Sequence, residues 1–212
     1  MNKPGVILFG GSFDPVHCGH IAMADFAMRY LSAHKVLFIA ASRSPHKAAV
    51  ALAAGCQRLE MIRLAICDCP QWEVSDCELT RPQPSYTFDT VRHFRTQYGS
   101  DVPLYWLAGA DAVPELPRWY RIEELLDLCR LCILYRAGFK VPSLDELEGR
   151  LPPRHIDQLR KDIIPAPLVD ISSTKIRQRI ALGQEVESFL PPAVWGFIRH
   201  HRLYGYGDSA NS

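Results

Sequence analysis

Residues 10–20 read GGSFDPVHCGH. Residues 6–9, VILF, come before them, and residues 21–31, IAMADFAMRYL, come after. A short apolar run that stops at glycines reads as a buried strand, and the longer periodic run reads as a helix. The quoted stretch is therefore a strand-to-helix turn with two glycines, an Asp-Pro pair and two histidines three residues apart. Working outward, the apolar runs 5–9, 36–40, 104–108 and 131–135 lack strict polar alternation, as strands covered on both faces do. Helical patterns occupy 20–31, 58–66, 86–98 and 122–128. In the third, Phe88, Val91, Phe94 and Tyr98 share one face, and Gly99 is a natural stop. Alternation of this kind predicts an α/β fold: a Rossmann-like, doubly wound parallel sheet with right-handed crossovers.

The chain has 212 residues, which suits one such domain. Residues 171–183 (ISSTKIRQRIALG) and 191–204 (PPAVWGFIRHHRLY) predict a C-terminal helical part at about 171–204. Residues 142–153 read as a polar, proline-containing insertion. The domain is expected over 1–206, with 207–212 as a flexible tail.

Apolar residues make up 48% of the chain, enough for a substantial core. Charges nearly balance, 24 basic against 23 acidic, so no basic excess advertises a nucleic-acid surface. No run approaches the roughly 20 apolar residues of a membrane span, and the apolar run near the start is too short for a signal peptide. The expectation is a cytoplasmic protein with no nucleic-acid or membrane partner. The seven cysteines then read as reduced thiols. Cys129 and Cys132 (a CxxC) and Cys67 and Cys69 (a CxC) are better read as small core or loop residues than as a zinc site.

In an open parallel sheet, ligands bind beyond the carboxyl ends of the strands, at helix N-termini. Residues 10–20 hold that position after the first strand. Gly10 and Gly11 permit close backbone approach and positive φ. Pro15 fixes the turn, and Asp14 is placed to accept bonds from the loop's own amides. His17 and His20 fall on one side of the first helical turn, where imidazoles donate to phosphate oxygens. A nearby triphosphate would favour their protonated form. Neither a Walker P-loop nor a G-x-G-x-x-G occurs, so histidines without a Walker lysine point towards attack at an α-phosphate.

The other motifs sit at the same edge. Lys47, in SPHK (44–47), can reach a phosphate, while His46 shapes its loop. SYTFDT (85–90) opens a helix with Ser85 and Thr87 as cap residues, and its free N–H groups suit a carboxylate. Asp111, after Gly109, is placed for ribose hydroxyls or a metal, or as a helix cap. Trp119 offers a stacking face. Ser172, Ser173, Thr174 and Arg177 combine hydroxyls, amides and a guanidinium suited to β- and γ-phosphates.

These segments, in this order, resemble nucleotidyltransferases with an HxGH signature, and within them the nicotinate mononucleotide adenylyltransferases. The resemblance covers almost the whole chain. One departure is Ser44, where the family usually has a further proline. The resemblance implies adenylyl transfer from ATP to nicotinate mononucleotide, with Mg²⁺ carried mainly by ATP and no dedicated metal ligands. It implies His17, His20 and Lys47 as catalytic groups. Gly10, Gly11, Ser12, Phe13, Arg136, Ser172, Ser173, Thr174 and Arg177 join the histidines on the ATP side. Ser12, Lys47, Tyr86, Thr87, Gly109, Asp111, Trp119 and Tyr120 form the mononucleotide side, with backbone N–H groups near Tyr86, Thr87 and Tyr120 as donors. The residues leave open acid against amide acceptor, a different HxGH acceptor such as phosphopantetheine, a non-catalytic nucleotide sensor, and whether the chain forms a homo-oligomer.

Overall fold

A computed structural model describes residues 3–42, 53–136, 140–167 and 171–207. Six parallel strands form one sheet: β1 (Gly5–Gly11), β2 (Ala33–Ala40), β3 (Trp72–Ser75), β4 (Leu104–Gly109), β5 (Arg130–Arg136) and β6 (Ile163–Ala166). Their order is β3-β2-β1-β4-β5-β6. β1 pairs in parallel with both β2 and β4, so the strand order reverses beside it. In open parallel sheets such a reversal is where a crevice forms, here at the carboxyl ends of β1 and β4.

Eight α-helices cover the sheet: α1 (Cys18–Tyr30), α2 (Gly55–Ile66), α3 (Cys77–Thr80), α4 (Thr87–Tyr98), α5 (Ile122–Leu128), α6 (Pro153–Lys161), α7 (Ser173–Ala181) and α8 (Pro192–His200). Side chains alternate across a strand, so β1 serves two cores. Ile7 and Phe9 face one, with Ala24 and Ala27 of α1, Met61 and Ile62 of α2, Ile176 of α7 and Val194 and Ile198 of α8. Val6 and Leu8 face the other, with Phe88, Val91 and Phe94 of α4, Leu125 of α5 and Ile156 of α6. The Rossmann-like expectation holds, and the C-terminal helices belong to the same domain.

Several boundaries differ from expectation. β3 and β6 escaped the sequence reading because each has four residues and sits at a sheet edge. Residues 142–153 are not a mere polar insertion. Leu144, Leu147 and Leu151 are buried at helix-like spacing among polar neighbours, and α6 begins directly after them. The last helix stops at His200, not at residue 204, because Arg202 and Tyr204 take left-handed backbone (φ 48° and 61°). The tail from residue 208 on lies outside the described residues.

Candidate active site

The turn between β1 and α1 lies at the crevice. Asp14–Pro15 is a cis peptide. The expected positive φ falls on Phe13 (φ 47°), not on the glycines. Gly10 and Gly11 are required for packing instead. A Cβ on Gly10 would collide with the Trp106 indole, and one on Gly11 would press on the Phe13 ring. The Phe13 side chain is 1% exposed, set edge-on against His20 with 5.0 Å between ring centroids.

His17 is the N-cap of α1, and His20 lies one turn on. Their rings stack with centroids 3.7 Å apart, as the spacing predicts. The His17 backbone N–H donates to His20 Nδ1 at 3.3 Å. That bond leaves the other ring nitrogen, Nε2, as the proton carrier of a neutral His20. His17 is 5% exposed, and burial pushes its imidazole down to about 4. The ligand-free site therefore holds His17 neutral rather than protonated. Desolvation outweighs its single favourable backbone hydrogen bond.

Asp14 does not bond the loop's own amides. It is fully buried and accepts from Ala53 N–H (3.1 Å) and the Tyr204 hydroxyl (2.7 Å), both at Oδ1. Arg177 Nη1 donates to the Asp14 carbonyl at 2.7 Å and lies 3.7 Å from Oδ2. Arg58, also buried, donates through Nη1 to the carbonyls of Ser12 (2.7 Å) and Ala41 (2.8 Å), and through Nε to Ala53 O (3.2 Å). Burial lowers the Arg58 pKa, and the Asp14 charge opposes that shift. Ser173 Oγ donates to Pro15 O at 2.9 Å. Three loop carbonyls, of Ser12, Asp14 and Pro15, are thus held by side chains from α2 and α7.

The start of α7 stands beside this loop. Ser172 caps the helix by accepting from Lys175 N–H at 3.2 Å. Arg177 Nη2 approaches Thr174 Oγ1 at 3.4 Å. Arg177 was expected to hold phosphate outright. With 17% of its side chain exposed and Nη1 on the loop carbonyl, it is committed first to the loop.

The second group of expected residues gathers around α4. Its N-cap is Tyr86, not Ser85 or Thr87, and no side chain caps it, so the Thr87 and Phe88 amides keep no intrahelical partner, while Asp89 N–H donates to Tyr86 O at 3.0 Å. The Tyr86 and Tyr120 rings stack at 4.4 Å, and Phe88 meets Tyr120 edge-on at 6.0 Å. Trp119 is half-buried against the second core, which leaves Tyr120, 47% exposed, as the more open ring. Behind the turn, buried Glu78 accepts from Thr90 Oγ1 at 2.7 Å, while Arg81 Nη1 donates to Ser85 Oγ and Thr90 Oγ1, each at 3.2 Å. Burial raises the Glu78 carboxyl pKa. Gly109 ends β4, and a Cβ there would collide with the exposed Asp111 carboxylate that folds over it.

Lys47, with Ser44 and His46, lies outside the described residues. The Arg136 backbone ends β5 opposite Ala166, at the same sheet edge. Among the described residues no cluster of three or more His, Cys, Asp or Glu side chains is assembled. Cys129 and Cys132 are buried free thiols, and burial raises Cys129 to about 12 and Cys132 further. No helix of the described residues is long and apolar enough to cross a membrane.

Sequence reasoning missed Arg58 and Tyr204. Arg58 carried a usable signal: it falls on the apolar stripe of α2 with Met61, Ile62 and Ile66, where a charge demands a buried partner. Tyr204 read only as the end of a helix and carried none.

The sequence model of the cytidylyltransferase-like family matches residues 8–179. A probable nicotinate-nucleotide adenylyltransferase of Synechococcus sp. (strain JA-3-3Ab) is 40% identical over 199 residues, 93% of each chain. One from Moorella thermoacetica is 38% identical over 207 residues, 96% of this chain and 94% of the relative. In fold, the chain is similar to Plasmodium falciparum nicotinic acid mononucleotide adenylyltransferase complexed with APC, with a TM-score of 0.73 at 16% identity over 97% of this chain and 99% of that one. The same enzyme complexed with NaAD gives a TM-score of 0.72. By signature turn, sheet order and sequence likeness, the chain belongs to the cytidylyltransferase-like family and, within it, to the nicotinate-nucleotide adenylyltransferases.

Proposed function

We propose that the protein transfers the adenylyl group of ATP to nicotinate mononucleotide, giving nicotinate adenine dinucleotide and pyrophosphate. The observation that carries this reading is the stacked His17–His20 pair at the start of α1, beside the strand-order reversal. A phosphate oxygen of the mononucleotide attacks the α-phosphorus of ATP. The new P–O bond forms as the bond to the bridging oxygen breaks, and pyrophosphate leaves with that electron pair. The nucleophile is already ionised, so the site needs no general base. Catalysis comes from positioning and from donors aimed at developing negative charge.

His20 Nε2–H and His17 donate at the α-phosphate, where the dipole of α1 also favours an anion. Lys47, Ser172, Ser173, Thr174 and the Nη2 side of Arg177 hold the outer phosphates, and Arg136 lies on the adenylate side. Gly10, Gly11, Ser12 and Phe13 give backbone to the nucleotide. The free amides at Thr87 and Phe88 receive the pyridine carboxylate, Tyr86, Trp119 and Tyr120 flank the ring, and Gly109 and Asp111 meet the ribose phosphate. Mg²⁺, carried on the ATP phosphates, would supply charge neutralisation there. Seven free cysteines suit the reducing cytoplasm.

The test is to incubate the purified chain with Mg-ATP and nicotinate mononucleotide and identify the dinucleotide by mass. Its formation in step with pyrophosphate is the expected result. ATP binding with no product would favour a sensor and reject the reading.

A further inference from the structure

The nucleotide loop is tied to a segment that no motif announced. Tyr204 stands 190 residues after Asp14 and beyond the span of the family sequence match. Its hydroxyl donates to Asp14 Oδ1 at 2.7 Å, one of two hydrogen bonds found on a carboxylate with no solvent exposure. Asp14 Oδ2 accepts none and faces Arg177 Nη1 at 3.7 Å. Burial first, and then the Asp14 charge, raises the Tyr204 pKa, so the phenol stays a donor.

Left-handed, non-glycine backbone lies beside one end of this bond and at the other. Phe13 (φ 47°) precedes Asp14, and Tyr204 itself has φ 61°, with Arg202 at 48° in the same turn. Such conformations persist where the surroundings over-determine them, and they gather at functional sites. The Asp14 carboxylate is where the start of α2, the α7 guanidinium and the C-terminal turn converge. His17 follows it by three residues.

We infer that Tyr204 is a positioning residue: acting through Asp14, its hydroxyl fixes residues 12–17 in the geometry that receives the ATP phosphates. The identity of that ligand rests on the proposed function. A hydroxyl serving architecture alone would change stability and leave the balance between the two substrates untouched. A positioning hydroxyl weakens the ATP side selectively, because the mononucleotide is received mainly by α4 and residues 109–120.

Tyr204→Phe removes one oxygen and keeps the ring packed in the first core. Equilibrium titrations of the full chain with Mg-ATP and, separately, with nicotinate mononucleotide should be run beside a melting curve. Mg-ATP should bind about tenfold more weakly and the mononucleotide within about twofold of the wild type. Asp14→Ala, which removes the acceptor, should reproduce the ATP-selective loss, and adding Tyr204→Phe to it should weaken ATP little further. Unchanged ATP affinity in Tyr204→Phe overturns the inference. So do equal losses for both substrates with a lowered melting temperature, or strictly additive effects in the double variant. A wild type that fails to bind Mg-ATP rejects the functional reading and this inference together, whereas tight binding by both wild type and Tyr204→Phe rejects the inference alone.

Discussion

The two halves of the crevice are supported in opposite ways. The nucleotide loop is held by contacts that span 46, 158, 163 and 190 residues of chain. The turn before α4 is held by contacts that span 4, 9 and 12 residues. The first half places histidine side chains within a buried set of charges. The second presents backbone amides and exposed rings above a local brace. Donors aimed at a transition state must be held to a fraction of an ångström, whereas ring stacking and a helix terminus tolerate more play. Long-range support therefore accompanies the half proposed for the chemistry, and local support the half proposed for recognition.

The largest expected effect is on His20. His20→Ala should lower kcat by about 10²- to 10³-fold while Mg-ATP affinity shifts by no more than about threefold. Pyrophosphate release and equilibrium titration read the two separately. An affinity loss matching the rate loss would move His20 from chemistry to binding and blur the contrast.

Next come the supports. Asp14→Ala leaves the Arg58 and Arg177 guanidiniums without their counter-charge and should cost about 3–5 kcal/mol, a fall of roughly 10 °C in Tm. Glu78→Gln keeps a hydrogen-bonding group in place of a carboxyl whose pKa is already raised, and should cost about 1 kcal/mol or less. Similar losses by thermal unfolding would erase the distinction between the two supports.

Acid should act on the first half as well. The folded His17 titrates at about 4 against an unfolded 6.5, so the unfolded chain binds more protons between those values. Stability is full above pH 6.5 and is lost as pH falls towards 4, with this residue accounting for about 2 kcal/mol between pH 7 and pH 5. Melting curves of wild type and His17→Asn at both pH values isolate that contribution, because the variant should show a shallower decline. Smallest is Tyr120→Ala, which should raise the acceptor KM about fivefold with ATP affinity unchanged, as expected on losing one stacked ring.

The sequence carried what is local. Strand-helix alternation exposed four of six strands, and the eleven-residue turn exposed both histidines with their correct mutual orientation. It misjudged the glycines, because a close approach between Gly10 and Trp106 depends on β1 lying beside β4. It could not show that Arg177 is bonded to the loop, since Asp14 lies 163 residues away. Tyr204 was illegible for the same reason. On the acceptor side the motif was visible, but the donors proposed there are backbone groups, and residue type says nothing about which amides a helix start leaves open.

The most direct test of the account is pyrophosphate release from the purified chain with Mg-ATP, using nicotinate mononucleotide and nicotinamide mononucleotide as parallel acceptors. The free amides at the start of α4 favour a carboxylate over a neutral carboxamide, so the account predicts release with both acceptors and a kcat/KM at least about tenfold higher for the acid. Equal use of acid and amide would contradict the role given to α4, and no release with either would contradict the proposed reaction itself.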